Sequence, residues 1–529
     1  MNTDKTSIFK IQNSRKLQTQ GAFKIGAHNS VVRVVRGSCG KTQPTGTHNR
    51  VVRSFFAFLE RVLHQASSFK FGQCRLDWSL KIEVSLKFDV WSLKFLAASS
   101  TVLFIPLGSS AASLLLTGAT VHTVSGETLV PGQVLIKDSK IAAVGRSLSA
   151  DGATTLDLKG QHLYPGMIAL NTTLGLTEIE SVRATQDNTE VGDYTPDVES
   201  WIAVNPDSEL LPVTRANGIA YFEPVPQGGV VAGQSGLVAM SGWTSEQMSV
   251  KKPLALHVFW PSMELDTSPR ERAGRGREKP KSLEEQAKER RVKLQALADF
   301  FEEAKAYAKA RDAAEKGSAP VPLKTPAWEA MLPYARGQLP IMVHALELRQ
   351  IKSAVQWATT NQYKIILADA RDGWMVADLL ATNHIPVIYC ETFSLTTRDT
   401  ESYDAHFTAP EKLRKAGVQV AFGLSPKVFN APLERNLPYE AAQAVAFGLP
   451  ADEALKGLTL YPAQMAGVAD RLGSIEAGKE ATLFASDGDI LDIRSNVKHF
   501  WIAGKEVSLE SRHTKLYDKY KNRPKPASD

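Results

Sequence analysis

The sequence predicts an α/β fold built on a TIM-type (β/α)8 barrel, and two patterns carry that expectation. From about residue 165 to residue 469, short apolar runs alternate with helix-like segments, as in a parallel α/β barrel. On both sides of that region the pattern changes to short strands separated by Gly, Asp and Ser turns. A chain of 529 residues has room for roughly two to four domains. Its 43% hydrophobic and 22% charged residues suit a protein with large buried cores.

Taken in order, the first strands are expected at 114–124, 133–136, 140–144 and 155–158. Barrel strands follow at Met167–Asn171, Gly218–Phe222, Leu254–Phe259, Pro340–His344, Lys364–Ala368, Ile385–Tyr389 and Val418–Gly423, each an apolar run bounded by polar or turn residues. Helices are expected at Leu346–Thr359, Trp374–Thr382 and Pro410–Lys415. The stretch Pro226–Gly236 is Gly-rich and reads either as a tight turn or as backbone placed close to a ligand. Residues 269–317 exceed what a minimal barrel needs. Within them, Ser282-Leu-Glu-Glu is a capping box opening a helix that runs to about Ala314. Leu294, Leu297, Phe300, Phe301 and Ala304 give that helix one apolar stripe. It either packs on the barrel rim or docks a partner.

Charge and cysteine narrow the classes. The net charge of +6 is concentrated in residues 1–92, which hold 15 Lys/Arg against 5 Asp/Glu, so the remainder is net acidic. The main body therefore offers no case for a nucleic-acid partner. Three cysteines, Cys39, Cys74 and Cys390, build no disulfide framework. Cys390 follows an apolar run and reads as a core residue, with a nucleophile as the lesser alternative. Residues 1–92 lack a sustained period and read as a basic extension outside the native fold. Residues 93–112 resemble a secretory signal: Lys94, an apolar run from Phe95 to Leu107, then small residues. The expectation is a natural start near Leu93 and a periplasmic or secreted protein, with a cytoplasmic one if translation starts elsewhere. The apolar run is too short to predict a membrane span.

The stretch Tyr164-Pro-Gly-Met-Ile-Ala-Leu-Asn-Thr-Thr173 resembles the first barrel strand of metal-dependent amidohydrolases, Pro-Gly-hydrophobic-Ile-Asp-x-His-x-His. Pro165, Gly166 and Ile168 match; Ala169 stands at the Asp position, and Asn171 and Thr173 stand at the two His positions. The end, Asp470-Arg-Leu-Gly-Ser-Ile-Glu-Ala-Gly-Lys479, is also similar to that superfamily, and the chain as a whole resembles its imidazolonepropionase-like branch. The resemblance implies that residues 113–164 and 470–510 pair into a small β-sandwich flanking a barrel at 165–469, with a charged tail at 511–529. It also implies a hydrolase of C–N bonds other than peptide bonds.

The family's ligands are His-x-His, a Lys or Glu after strand 4, two further His and an Asp after strand 8. Here the strand-4 candidate, Leu254–Trp260, has no Lys or Glu at its tip. His344 matches after strand 5, Asp369 stands near the strand-6 His position, and Ser425 replaces the last Asp. His344 has a plainer reading as a hydrogen-bonded barrel-tip side chain. After strand 1 come Glu178, Glu180, Arg183, Asp187 and Glu190, either a solvated loop or a ligand clamp. The catalytic candidates are His344, Asp369, Glu178 and Arg183, and the pocket candidates are Asn171, Thr173 and Ser425. No residue is assigned to a metal and no cofactor is called; zinc or another divalent ion is the lesser alternative. The partner expected is a small-molecule substrate or ligand. Two other readings stay open: a catalytically silent barrel that binds a small ligand, and a partner-binding protein using the 282–314 helix.

Overall fold

The computed structural model describes residues 113–267 and 281–524. The basic extension, the signal-like segment and most of the Arg-rich loop fall outside the described residues, as does the end of the tail. The strands are β1 (Leu114–Val121), β2 (Leu129–Lys137), β3 (Lys140–Gly145), β4 (Thr154–Asp157), β5 (His162–Pro165), β6 (Met167–Thr172) and β7 (Ile219–Pro224). They continue as β8 (Val231–Gln234), β9 (Leu237–Ala239), β10 (Ser249–Lys251), β11 (Leu256–Phe259), β12 (Ile341–Ala345) and β13 (Ile365–Asp369). The series closes with β14 (Val387–Tyr389), β15 (Val420–Phe422), β16 (Leu483–Ser486), β17 (Val497–Ile502) and β18 (Lys505–Glu506).

The two ends of the main body do pair. β5 lies antiparallel to β16, with Tyr164 opposite Phe484, and this joins β1–β5 and β16–β18 in one sheet of eight strands. The pairing is that of one continuous sheet, where two packed sheets were expected. Alternating inward residues, among them Leu116, Val134, Ile141, Leu163 and Trp501, form its own apolar core. The Pro-Gly step leading into β6 has a steric cause. A Cβ on Gly166 would lie 2.5 Å from the Ala220 Cβ and 2.8 Å from Thr482, so only glycine lets the chain pass between the end sheet and β7.

Seven parallel strands make the centre. β6 pairs with β7, and β11 to β15 pair in sequence order. A parallel bridge between Leu170 and Gly423 links β6 to β15, where a Cβ on Gly423 would stand 2.9 Å from the Leu170 carbonyl. On the other side β7 pairs antiparallel with β9, and β11 pairs antiparallel with β8. The pairing is therefore a four-stranded and a six-stranded sheet, not a continuous ring of eight parallel strands. The difference lies in the Gly-rich stretch: Val231–Gln234, expected in a turn, is the buried edge strand β8. All seven expected barrel strands are present within two residues or so at each end, because each is a buried apolar run of the length a parallel strand needs.

The expected helices form at Leu348–Asn361, at Ala377–Thr382 after a short 3₁₀ turn, and at Ala405–Lys415. The long insertion helix spans Leu283–Glu315, and its Ser282/Glu285 capping box is made in both directions. Leu297, Phe301 and Ala304 of its stripe are buried in the core shared with β11–β15, where Phe301 meets Trp357 edge-on, and Ala308 is buried further along the helix. The apolar face is thus covered by the chain's own core. Among the described residues no helix is long and apolar enough to cross a membrane. Phe301→Ala should lower stability by about 3–5 kcal/mol in denaturant unfolding. The exposed Val292→Ala on the same helix should change it by less than about 0.5 kcal/mol. Equal effects would show that the helix is not docked.

Candidate active site

The buried centre at the C-terminal ends of the parallel strands is a chain of four ionisable side chains. Register sets it up. Phe259 pairs with His344, and Ala345 pairs with Asp369, so His257, His344 and Asp369 come to one end of adjacent strands. His257 Nδ1 and His344 Nε2 are 3.0 Å apart. His344 Nδ1 faces Asp369 Oδ2 at 3.3 Å. At the other end His257 Nε2 faces Glu223 Oε1, on β7, at 3.4 Å, a contact outside hydrogen-bond geometry. Glu223 is further held by the Ser235 hydroxyl (2.6 Å) and by the backbone N–H of Asn171 (3.2 Å). Phe259 stacks on the His344 ring with 4.1 Å between centroids.

Asn171 closes the chain on the far side. Its amide donates to Asp369 Oδ1 (3.2 Å) and to the Cys390 sulfur (3.4 Å). The Ser425 hydroxyl also hydrogen-bonds Asp369. Asn171 and Asp369 both have left-handed backbone, with φ of 66° and 69°, and Ala370 follows at 47°. Asn and Asp tolerate that region better than most residues, while Ala370 is strained by it. Strained backbone at the two residues that meet marks a place where side-chain position outweighs backbone comfort.

Proton counting constrains the chain. It has three gaps, Glu–His, His–His and His–Asp, and each needs one proton to be a hydrogen bond. Two neutral imidazoles bring only two. Burial pushes His257 down, and His344 adds to that, against the opposing pull of Glu223. Burial would raise Asp369, but hydrogen bonds from His344, Ser425 and Asn171 outweigh it and hold the carboxyl below its usual range. With Asp369 ionised, two neutral imidazoles supply the His–Asp and His–His hydrogen bonds, and the Glu–His contact is left at 3.4 Å without one. This arrangement can accept or release a proton at its Asp369 end without moving a strand.

That end adjoins a cavity of about 260 Å³, lined in part by Cys390 and Ser425. Cys390 is half-buried, and burial followed by the charge of Asp369 pushes its thiol well up, which favours the neutral thiol over a nucleophile.

Of the residues expected from sequence, Asn171, His344, Asp369 and Ser425 converge. Thr173 is buried beside them and donates to the Lys427 carbonyl at 3.3 Å. Glu178 and Arg183 are not drawn in. Glu178 accepts from Asn205, and the exposed Arg183 binds the Gln186 carbonyl within its own loop. Asp187 and Glu190 of that loop line a separate cavity of about 420 Å³. Glu223 and His257 were missed. The signal for Glu223 was a lone carboxylate inside the apolar run Ile-Ala-Tyr-Phe-Glu-Pro, and His257 lies two residues short of the strand tip where a ligand was sought.

With this geometry in view, the comparisons point to one class: residues 247–507 match the amidohydrolase family. An amidohydrolase from Thermotoga maritima MSB8 is similar at 26% identity and a TM-score of 0.64, covering 75% of this chain and 99% of that one. The curated protein "Amidohydrolase tasK" of Hapsidospora irregularis is 25% identical over 181 residues, which are 34% of this chain and 18% of that protein. The chain thus aligns with less than a fifth of that relative's length.

Amidohydrolases generally use a divalent metal ion, and the donor set here does not fit one. Three of the four imidazole nitrogens of His257 and His344 meet protein partners at hydrogen-bond distance, two of them each other, and the fourth, His257 Nε2, is turned to Glu223 without a close hydrogen bond. Asn171 and Thr173 are neutral where imidazoles would be needed. Asn171 Oδ1 is buried without a partner, but one neutral oxygen falls short of the three ligands a catalytic zinc takes. Among the described residues no three His, Cys, Asp or Glu side chains are placed to hold an ion together.

Two buried carboxyls near the cavity, Glu434 and Glu440, are pushed up to about 8, chiefly by burial. The folded state then keeps protons that the unfolded chain releases above an ordinary value of 4.5. Their cost to stability is absent below that value and grows as pH rises toward 8. Glu434→Gln should therefore stabilise the protein by about a few kcal/mol more at pH 8 than at pH 5 in denaturant unfolding. An equal effect at both pH values would contradict the assignment.

Proposed function

We propose that this protein is a hydrolase of C–N bonds other than peptide bonds, acting on a small molecule in the cavity beside Asp369 and Ser425. The observation that carries the reading is the buried Glu223–His257–His344–Asp369 chain ending at that cavity. The two central sheets are read as the halves of an amidohydrolase-type barrel, with the site at the C-terminal strand ends where such barrels place their chemistry. The Pro-Gly-Met-Ile strand and the motif at 470–479 support the superfamily, and the imidazolonepropionase-like branch is proposed within it. Export is proposed from the segment at 93–112.

In this reading Asp369 acts as the base. As a water oxygen attacks the carbonyl carbon, its proton passes to the Asp369 carboxylate, directly or through the Ser425 hydroxyl. His344 stabilises the carboxylate before transfer. When the C–N bond breaks, the proton returns from Asp369 to the departing nitrogen, and the products leave as carboxylic acid and amine, which ionise to carboxylate and ammonium. His257 and Glu223 are positioning residues that fix the tautomer of His344. Asn171 holds Asp369 at its other oxygen.

Screening a panel of small amides, lactams and cyclic ureas should reveal turnover that Asp369→Asn and His344→Asn each lower by about 10²- to 10⁴-fold in kcat. Arg183→Ala should stay within about threefold, since Arg183 lies outside the chain. Chelator dialysis should leave the rate unchanged. Turnover that survives both substitutions, or that disappears on chelation and returns with zinc, would overturn the mechanism.

A further inference from the structure

The cavity beside the proton chain has an acidic wall that the hydrolytic step does not use. Glu440, on the helix Leu437–Ala446, lines it together with Glu391, which follows β14. Glu440 is 5% exposed; its Oε2 is inaccessible and without a close hydrogen-bond partner, and the neutral Thr392 hydroxyl and Phe393 backbone N–H only partly offset the burial of its carboxyl. Glu434 is fully buried and near enough to Glu440 to feel its charge; neither of its carboxyl oxygens makes a close hydrogen bond, and the neutral Thr172 hydroxyl only partly offsets its burial. Glu391 is 8% exposed and accepts only from Ser394, its own neighbour in the loop. Among the described residues none of the three forms an ion pair, although every other strongly buried acidic group near the site has a cationic or imidazole partner: Asp372 with Arg398, Glu223 with His257, Asp369 with His344.

Burying unpaired carboxyls costs free energy that folding alone does not recover. A ligand cation would recover it. We propose that this cavity receives the protonated amine or guanidinium of the ligand between Glu440 and Glu391, with Glu434 adding to the field, so that the molecule hydrolysed is a small cationic amide or lactam. A volume of about 260 Å³ admits a compact molecule with its charged end on Glu440 and its reacting carbonyl toward Ser425 and Asp369. The exposed Lys427 stands at the cavity wall on the loop after β15, where it would repel a cation bound the other way round. Calling the occupant a substrate rests on the hydrolase reading; its binding does not.

Proton release accompanies such binding. Glu434 and Glu440 are pushed up by burial, and Glu440 is raised further by Glu391, so a cation entering near neutral pH displaces a proton from the pair. The other groups facing the wall are Asp369 and Cys390 from the strand ends, His406 from the helix Ala405–Lys415, and Lys427.

The test is calorimetric titration of the full chain at pH 7 with n-butylammonium, and with n-butanol as its neutral counterpart, in two buffers of different ionisation enthalpy. Butylammonium should bind saturably with proton release, at least about tenfold more tightly than butanol. Glu440→Gln, which keeps the shape of the side chain, should lower that affinity at least about tenfold. Should Glu440→Gln fail to fold, Glu391→Gln should weaken binding in the same direction. Equal binding of the two probes, or affinity unchanged in a folded Glu440→Gln, would overturn the site. So would saturable Zn²⁺ binding that needs Glu440 when butylammonium does not bind. His344→Asn should bind butylammonium as the parent does. A protein that binds butylammonium but hydrolyses no amide in the panel would reject the hydrolase reading and leave the cation site standing.

Discussion

Two carboxyls and two imidazoles are taken out of water at the ends of β7, β11, β12 and β13, at a desolvation cost of several kcal/mol for each group that is charged. Their mutual hydrogen bonds offset that cost, and the rest of the centre depends on keeping those bonds intact. Strand register brings the four groups into line. Ser235, Asn171 and Ser425 satisfy the outer oxygens, and Phe259 fixes the plane of His344. Removing one member would leave an uncompensated neighbour in the dry interior, which is why the chain behaves as a unit.

The same constraint explains the unusual backbone nearby. Asn171 and Asp369 adopt left-handed conformations at the tips of β6 and β13, so that their side chains reach each other. A regular strand end would aim them differently. The Leu170–Gly423 bridge holds the two sheets together at this level, and Gly423 is the residue that allows so close an approach. Packing, backbone strain and the site are thus parts of one arrangement.

Much of the fold could be read from the sequence because buried parallel strands leave contiguous apolar runs. The seven central strands were legible in this way; the insertion helix was legible from its capping box and apolar stripe, and the pairing of the two ends only from the family resemblance. β8 and β9 were not, since glycines in their run read as a turn and antiparallel pairing within an α/β region has no local mark. At the site, Asn171, His344, Asp369 and Ser425 could be placed because each occupies a position at which the similar family has a ligand. Glu223 and His257 could not, because their role comes from contact across neighbouring strands. Glu178 and Arg183 looked functional from their charge alone, yet water solvates their loop. The acidic wall was hidden for a similar reason: Glu391, Glu434 and Glu440 sit on three separate elements, and only tertiary packing strips them of cationic partners.

The central claim is that a buried chain of facing carboxyls and imidazoles stands where amidohydrolases hold metal. ¹⁵N NMR of histidine-labelled protein, recorded with and without equimolar Zn²⁺, tests it most directly. The account predicts a neutral His257 through the neutral pH range, His344 protonated on Nδ1 toward Asp369, and spectra of both rings unchanged by zinc. Zinc-induced shifts at both His257 and His344 would show that the rings turn to share an ion, and would contradict it.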